Sequence, residues 1–122
     1  MGFDRFEDLE VWQLSRLLVK SIYNMTTESK FPKDYSLINQ IQRSAVSIMA
    51  NIAEGFERKT NKEFIYFLYN AKGSCGELRS HLYIAFDLGY ISDNDFKQNY
   101  QSAETISKSL AGFIKYLQSR NP

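Results

Sequence analysis

The sequence predicts an all-α fold, an antiparallel up-down-up-down four-helix bundle forming one domain over residues 1–122. Three observations point there. Apolar residues recur at alternating intervals of three and four through four separate stretches, the spacing of helices packed side by side. Pro32 and Pro122 are the only prolines, so almost nothing interrupts long helices. Helix-start residues stand ahead of each stretch, at Asp8, at Asp34 or Ser36, at Thr60 and at Ser92.

The first helix is expected over residues 8–26. Val11, Leu14, Leu18, Ile22 and Met25 form one stripe, and Leu9, Trp12 and Val19 a second, so this helix should touch more than one neighbour. Asp8 is its expected N-cap. TTESKFPKDY then breaks the pattern, with Pro32 pushing Phe31 out of the helical region.

The second helix is expected over residues 36–58, with Ile38, Ile41, Ala45, Ile48 and Ile52 as its seam. Gln40, Ser44, Ser47, Asn51, Glu54 and Arg58 line a neighbouring face. Small serines and an asparagine suit a semi-polar contact better than a solvent face. Gly55 is either a left-handed C-cap or an interior glycine that lets another helix approach. The clear cap at Thr60 favours a helix continuing about one turn beyond Gly55.

Thr60-Asn61-Lys62-Glu63 reads as a capping box, the Thr60 hydroxyl taking the Glu63 amide and the Glu63 carboxylate reaching back to the Thr60 amide. The third helix, over residues 61–89, keeps Phe64, Leu68, Ala71, Cys75, Leu78, Leu82 and Ala85 on one line. Gly73 and Gly76 lie inside it, each costing about 1 kcal/mol against alanine, which calls for close backbone packing between helices. The fourth, over residues 93–119, carries Phe96, Tyr100, Ala103, Ile106, Leu110, Phe113 and Leu117, and Asn121-Pro122 reads as a frayed end. A tight turn between the second and third helices sets Ser47 opposite Gly73 and Ser74, Asn51 near Asn70, and Ser44 or Arg43 near Glu77. That register predicts an Arg43–Glu77 ion pair.

A chain of 122 residues can bury about two-thirds of its unfolded surface without staples. Fifteen basic against 14 acidic residues leave no strong field for nucleic acid on a single subunit. No apolar run spans a membrane, FDRFEDLE is no signal peptide, and a lone cysteine fits a reducing compartment, so a cytoplasmic protein is expected. Eight tyrosines among 15% aromatics exceed what one small bundle hides, which places some at a subunit interface.

No catalytic, cofactor or metal site assembles from these residues, so no cofactor is expected and the protein reads as non-enzymatic. His81 is the only histidine, and Glu77-Leu-Arg-Ser-His81 lacks the Glu-x-x-His spacing of a di-iron bundle. Cys75 falls on the core seam, as a small apolar residue would. Ser74, His81 and Asp87 share one helix and do not converge as a triad. Arg58, Lys59 and Lys62 cluster at the turn between the second and third helices. They form either a solvated turn or a phosphate contact multiplied by assembly.

FEDLEVWQ, FP, LINQIQRSAVSIMANIAEGFERKTNKEFIYFLYNAKGSCGEL and LGYIS together resemble the bacterial 23S rRNA intervening-sequence protein family and its relative, the accessory variability determinant of diversity-generating retroelements. The likeness covers Phe6 to about Ser92. It implies a non-enzymatic four-helix bundle assembling as a ring-like homopentamer, with RNA as a candidate partner. It also implies an alternative role as nucleic-acid-binding accessory of a reverse transcriptase; a protein-interaction adaptor is a further alternative that does not rest on the resemblance. Asn51, Glu54, Gly55, Arg58, Gly73 and Ser74 match the family signature; with Arg43, Ser47 and Glu77 they read as interhelical packing and a polar network. Met49 stands where the family often has proline and Arg79 where it is often acidic. The chain is nearly neutral where the retroelement relative is strongly basic.

Overall fold

The computed structural model describes residues 2–120; Asn121-Pro122, expected to fray, lie outside that range. A short 3-10 turn at Phe6–Asp8 leads into four helices: α1 (Glu10–Thr26), α2 (Tyr35–Phe56), α3 (Asn61–Asp87) and α4 (Asp93–Arg120). The fold is an all-α four-helix bundle in which α2 packs on α3, α3 on α4, and α1 bridges α2 and α4. Contacts between α2 and α3 run in opposite senses, from Ser44 beside His81 to Gly55 beside Phe64. Those between α3 and α4 do likewise, from Phe64 beside Phe113 to Phe86 beside Phe96. Both pairs are therefore antiparallel.

The three-four spacing turns one stripe per helix inward. Val11, Leu18, Ile22 and Met25 meet Ile41, Ala45, Ile48 and Ile52, and the predicted line Phe64 to Ala85 is buried throughout. On α4 the stripe is rotated slightly from the expected one. Asn99 and Ile114 are buried, whereas Phe96, Tyr100 and Phe113 are half-buried at the margin. Asn99 is tolerated because it is satisfied. It accepts from the Ser21 hydroxyl at 2.8 Å and donates to the Asp95 carbonyl at 2.9 Å.

Helix ends follow the capping chemistry with four corrections. Asp8 does not cap α1. It is the last residue of the 3-10 turn, Leu9 takes the cap position with no side-chain bond, and Gln13 ties the turn down by donating to the Glu7 carbonyl. α2 stops at Phe56, one residue after Gly55, because the Arg58 amide turns back onto the Gly55 carbonyl. α3 starts at Asn61 with the Glu63 amide on the Thr60 hydroxyl at 3.2 Å, but the Glu63 carboxylate accepts from that hydroxyl rather than the Thr60 amide.

α3 ends at Asp87, two residues before the expected Gly89. Gly89 has φ +75, and the amides of Gly89 and Tyr90 close onto Phe86 and Ala85, a Schellman motif. Ser92 caps α4 by accepting from the Asp95 amide at 3.0 Å.

Asp34 is the cap of α2 and accepts from the Leu37 amide at 3.2 Å. Its other oxygen accepts from the Tyr90 hydroxyl at 3.2 Å, clamping the α3–α4 turn to the start of α2. Burial first, and then this carboxylate, hold the Tyr90 phenol above its ordinary pKa, so it stays a donor. Asp34→Ala is expected to cost about 1–2 kcal/mol, at the upper end for a cap. The loss is read as a lower calorimetric Tm.

Candidate functional site

The family-signature residues gather along the antiparallel pair α2/α3. The two helices are in tight contact at Gly55, where an added Cβ would lie 2.8 Å from the Phe67 Cβ and 2.9 Å from the Phe64 ring. Beyond Gly55 the seam becomes polar. The Asn51 amide donates to the Ser47 carbonyl and hydroxyl at 2.8 and 3.0 Å, and the Ser47 and Ser74 hydroxyls bond to each other at 2.8 Å. One turn on, the Ser44 oxygen lies 2.7 Å from the Gln40 carbonyl, 3.2 Å from the Glu77 carboxylate and 3.0 Å from His81 Nδ1. A hydroxyl has one proton, and two of these neighbours only accept. The cluster is most fully satisfied when His81 Nδ1 donates to Ser44.

Two expectations fail here. Arg43 and Glu77 form no ion pair. They line one cleft with Tyr23, Val46 and Ser47, but the Glu77 carboxylate is taken by Ser44, and Arg43 lies exposed on the outer side of α2. Nor do Gly73 and Gly76 pack against another helix. A Cβ on Gly73 would meet nothing within 4 Å, and one on Gly76 only the Arg79 guanidinium at 3.6 Å. Helical geometry explains the miss: Ala71, Cys75 and Leu78 turn inward, which leaves Gly73 on the solvent-exposed side of α3. It lines an outward cleft of about 450 Å³ together with Ser47, Asn51, Tyr69, Asn70, Ser74 and the charged Glu77.

The basic turn is less available than its letters imply. Arg58 is held by Glu54 at 2.9 Å and lies over the Phe67 ring at 4.7 Å. Lys59 and Lys62 are exposed and form no ion pair among the described residues. Glu54, Glu57 and Glu63 balance the three cations formally.

Ser44, Glu77 and His81 bring a hydroxyl, a carboxylate and an imidazole together; the helix register had placed Ser44 near Glu77 but had not brought His81 to them. Ser44 is 1% exposed, and neither it nor His81 lines the adjoining clefts. This arrangement ties α2 to α3. Cys75 is fully buried; burial raises its thiol from 9.0 to about 12, and Arg79 and Lys72 oppose that only in part. Among the described residues no three His, Cys, Asp or Glu side chains converge as metal ligands. Among them, too, no helix is long and apolar enough to cross a membrane.

Two outward features had weak sequence signals. Tyr66 and Tyr69 stand 61% and 53% exposed, Tyr69 in the Gly73 cleft, giving α3 apolar residues on two faces. Between α1 and α4 runs a groove of about 540 Å³ lined by Leu14, Leu17, Leu18, Ile106 and uncharged polar residues.

The model of the 23S rRNA-intervening sequence protein family matches residues 7–112. A crystal structure of a protein of unknown function from the S23 ribosomal protein family of Bacteroides thetaiotaomicron superposes with a TM-score of 0.80 at 26% identity, covering 86% of this chain and 98% of that one. No curated protein matches the chain significantly.

Proposed function

Because the chain belongs to the 23S rRNA-intervening sequence protein family, we propose that it is a non-catalytic cytoplasmic scaffold that assembles from copies of itself, the homopentamer being the assembly the family resemblance implies. The observation that carries this reading is Gly73. A glycine inside a 27-residue helix, on its exposed side, weakens that helix by about 1 kcal/mol and relieves no contact within the subunit. A neighbour approaching from outside accounts for it. The exposed Tyr69 in the same cleft, and Tyr66 one turn before it on α3, are the amphipathic rings that subunit interfaces favour. Sedimentation velocity is expected to show one species of higher order than the 14.2 kDa subunit at micromolar concentration. A lone subunit at hundreds of micromolar would remove the proposal.

RNA association is the second reading, favoured by the unpaired Lys59 and Lys62 on every copy. Balanced charge around each turn means that only an assembly could sum enough cations to hold a phosphate backbone. RNA affinity is expected to fall steeply with salt and to vanish in the Arg58→Ala, Lys59→Ala, Lys62→Ala triple variant. A defined protein partner with no salt-sensitive RNA affinity would point to an adaptor, and binding to a reverse transcriptase to the accessory role.

A further inference from the structure

We infer that the outward face shared by α3 and α4 binds a single strand of RNA, its unpaired bases stacking on an aromatic cluster and its phosphates running along the cations beside it. The inference rests on the RNA association proposed above and adds a base-contacting surface to the turn cations.

The aromatic part is built where α3 ends and α4 begins. Tyr83 lies 5.0 Å from Phe96 and 5.5 Å from Tyr100, and Phe86 lies 4.8 Å from Phe96, centroid to centroid. Phe96 and Tyr100 are half-buried and form the base of the cluster, whereas Tyr83 and Phe86 are 48% and 37% exposed. Rings held in place by other rings, yet this open to water, form a surface on which any base can stack.

The basic part continues the same two stripes. Lys72, Gly76, Arg79, Tyr83 and Phe86 recur on α3 at intervals of four and three, and Lys97, Tyr100, Glu104, Lys108 and Lys115 share one side of α4 by the same rule. The stripes adjoin, since the Arg79 guanidinium lies 5.8 Å from the Tyr100 ring centroid. Lys72, Arg79, Lys108 and Lys115 form no ion pair among the described residues, while Lys97 is held by Asp93 at 3.0 Å. Glu104 is the one acidic residue between Lys97 and Lys115. The near-neutrality of the whole chain therefore hides a local excess of cations beside the rings.

That pairing chooses the occupant. An apolar protein segment would cover the rings and strand the cations. A duplex would meet the cations but keep its bases stacked inside. A single strand meets both. From Tyr100 to Lys115 α4 runs about 22 Å, and from Lys72 α3 leads back about 15 Å to Lys62 at the turn, so one strand can touch the rings and the turn cations together.

The test measures fluorescence anisotropy of an unstructured RNA strand of about 12 nucleotides, and of an abasic strand of equal length and charge, with the full-length protein. The bases are expected to tighten binding about tenfold over the abasic strand. The double variant Tyr83→Leu, Phe86→Leu keeps apolar bulk and removes the flat rings. It is expected to weaken binding of the RNA strand about tenfold and to leave the abasic strand unchanged, with circular dichroism confirming its fold. Tyr83→Phe is expected to bind as the wild type does. Lys108→Glu with Lys115→Glu, both exposed, should weaken both strands and flatten the salt dependence. Equal affinity for the two strands would overturn the inference. So would RNA binding that the Arg58→Ala, Lys59→Ala, Lys62→Ala variant loses and the ring variant keeps in full, an outcome that leaves RNA association resting on the turn alone. No salt-sensitive affinity for either strand would remove that association, and this inference with it. A protein partner released by the ring variant, from a chain that binds neither strand, would overturn it as well.

Discussion

Gly55→Ala is expected to destabilise the subunit, and Gly73→Ala to stabilise it, although both replace a glycine within a long helix. At Gly55 the new methyl would sit 2.8 Å from the Phe67 Cβ, 2.9 Å from the Phe64 ring and 3.2 Å from the Phe64 carbonyl oxygen. None of these is the free end of a flexible chain, so α3 itself must move. Overpacking of this kind costs about 1–3 kcal/mol, and the helix-propensity gain of about 1 kcal/mol offsets only part of it. Gly55→Val adds two more methyl groups and weakens the offset, so its Tm should fall by about 10 °C or more. At Gly73 the Cβ meets nothing, and the propensity gain of up to about 1 kcal/mol stands alone. Denaturant melts of the two alanine variants at one concentration, low enough to hold the subunits apart, check the pair. Equal shifts of the same sign would contradict the packing described at Gly55.

Cys75 is expected to react with thiol reagents about a thousandfold more slowly in the folded protein than in the unfolded chain at pH 8. Burial lifts its pKa from 9.0 to about 12, and three pK units remove that factor from the reactive thiolate population. The same shift links to stability. Below pH 9 both states keep the proton and the contribution is constant. Between pH 9 and 12 the unfolded chain releases it while the folded one holds it, so stability falls by at most about 1.4 kcal/mol per pH unit. Lysines and tyrosines also titrate there. The measurement is therefore the difference between wild type and Cys75→Ala across that window, where the variant should lose stability less steeply. Rapid modification of the native thiol would mean that α3 opens far more readily than its fully buried seam implies.

Both predictions concern residues whose letters were conspicuous in the sequence, yet only one was read correctly there. Cys75 sits on an unbroken three-four line, and such a line determines which side of a helix is dry. Gly55 could be a cap or a contact, and the choice depended on Phe64 and Phe67 arriving from another helix. Gly73 was expected to pack within the chain, and it faces outward. The reason is angular: one residue of helix turns a side chain by about 100°, so Ser74 meets Ser47 while its neighbour Gly73 does not. Register placed Ser44 or Arg43 beside Glu77, but register does not decide which donor wins a carboxylate, and it is the buried Ser44 that bonds it.

The sequence by itself determined the number of helices, the caps at Thr60 and Ser92, and most of the inward stripes. These depend on hydrogen bonds and periodicities a few residues long. The tertiary structure alone decided which polar residues share a proton, as at Ser44, Glu77 and His81, and which surfaces stay open, as at Leu17 and Gly73. Such outcomes depend on side chains from different helices meeting within about 3 Å, and a stripe pattern places them only to within a helical turn.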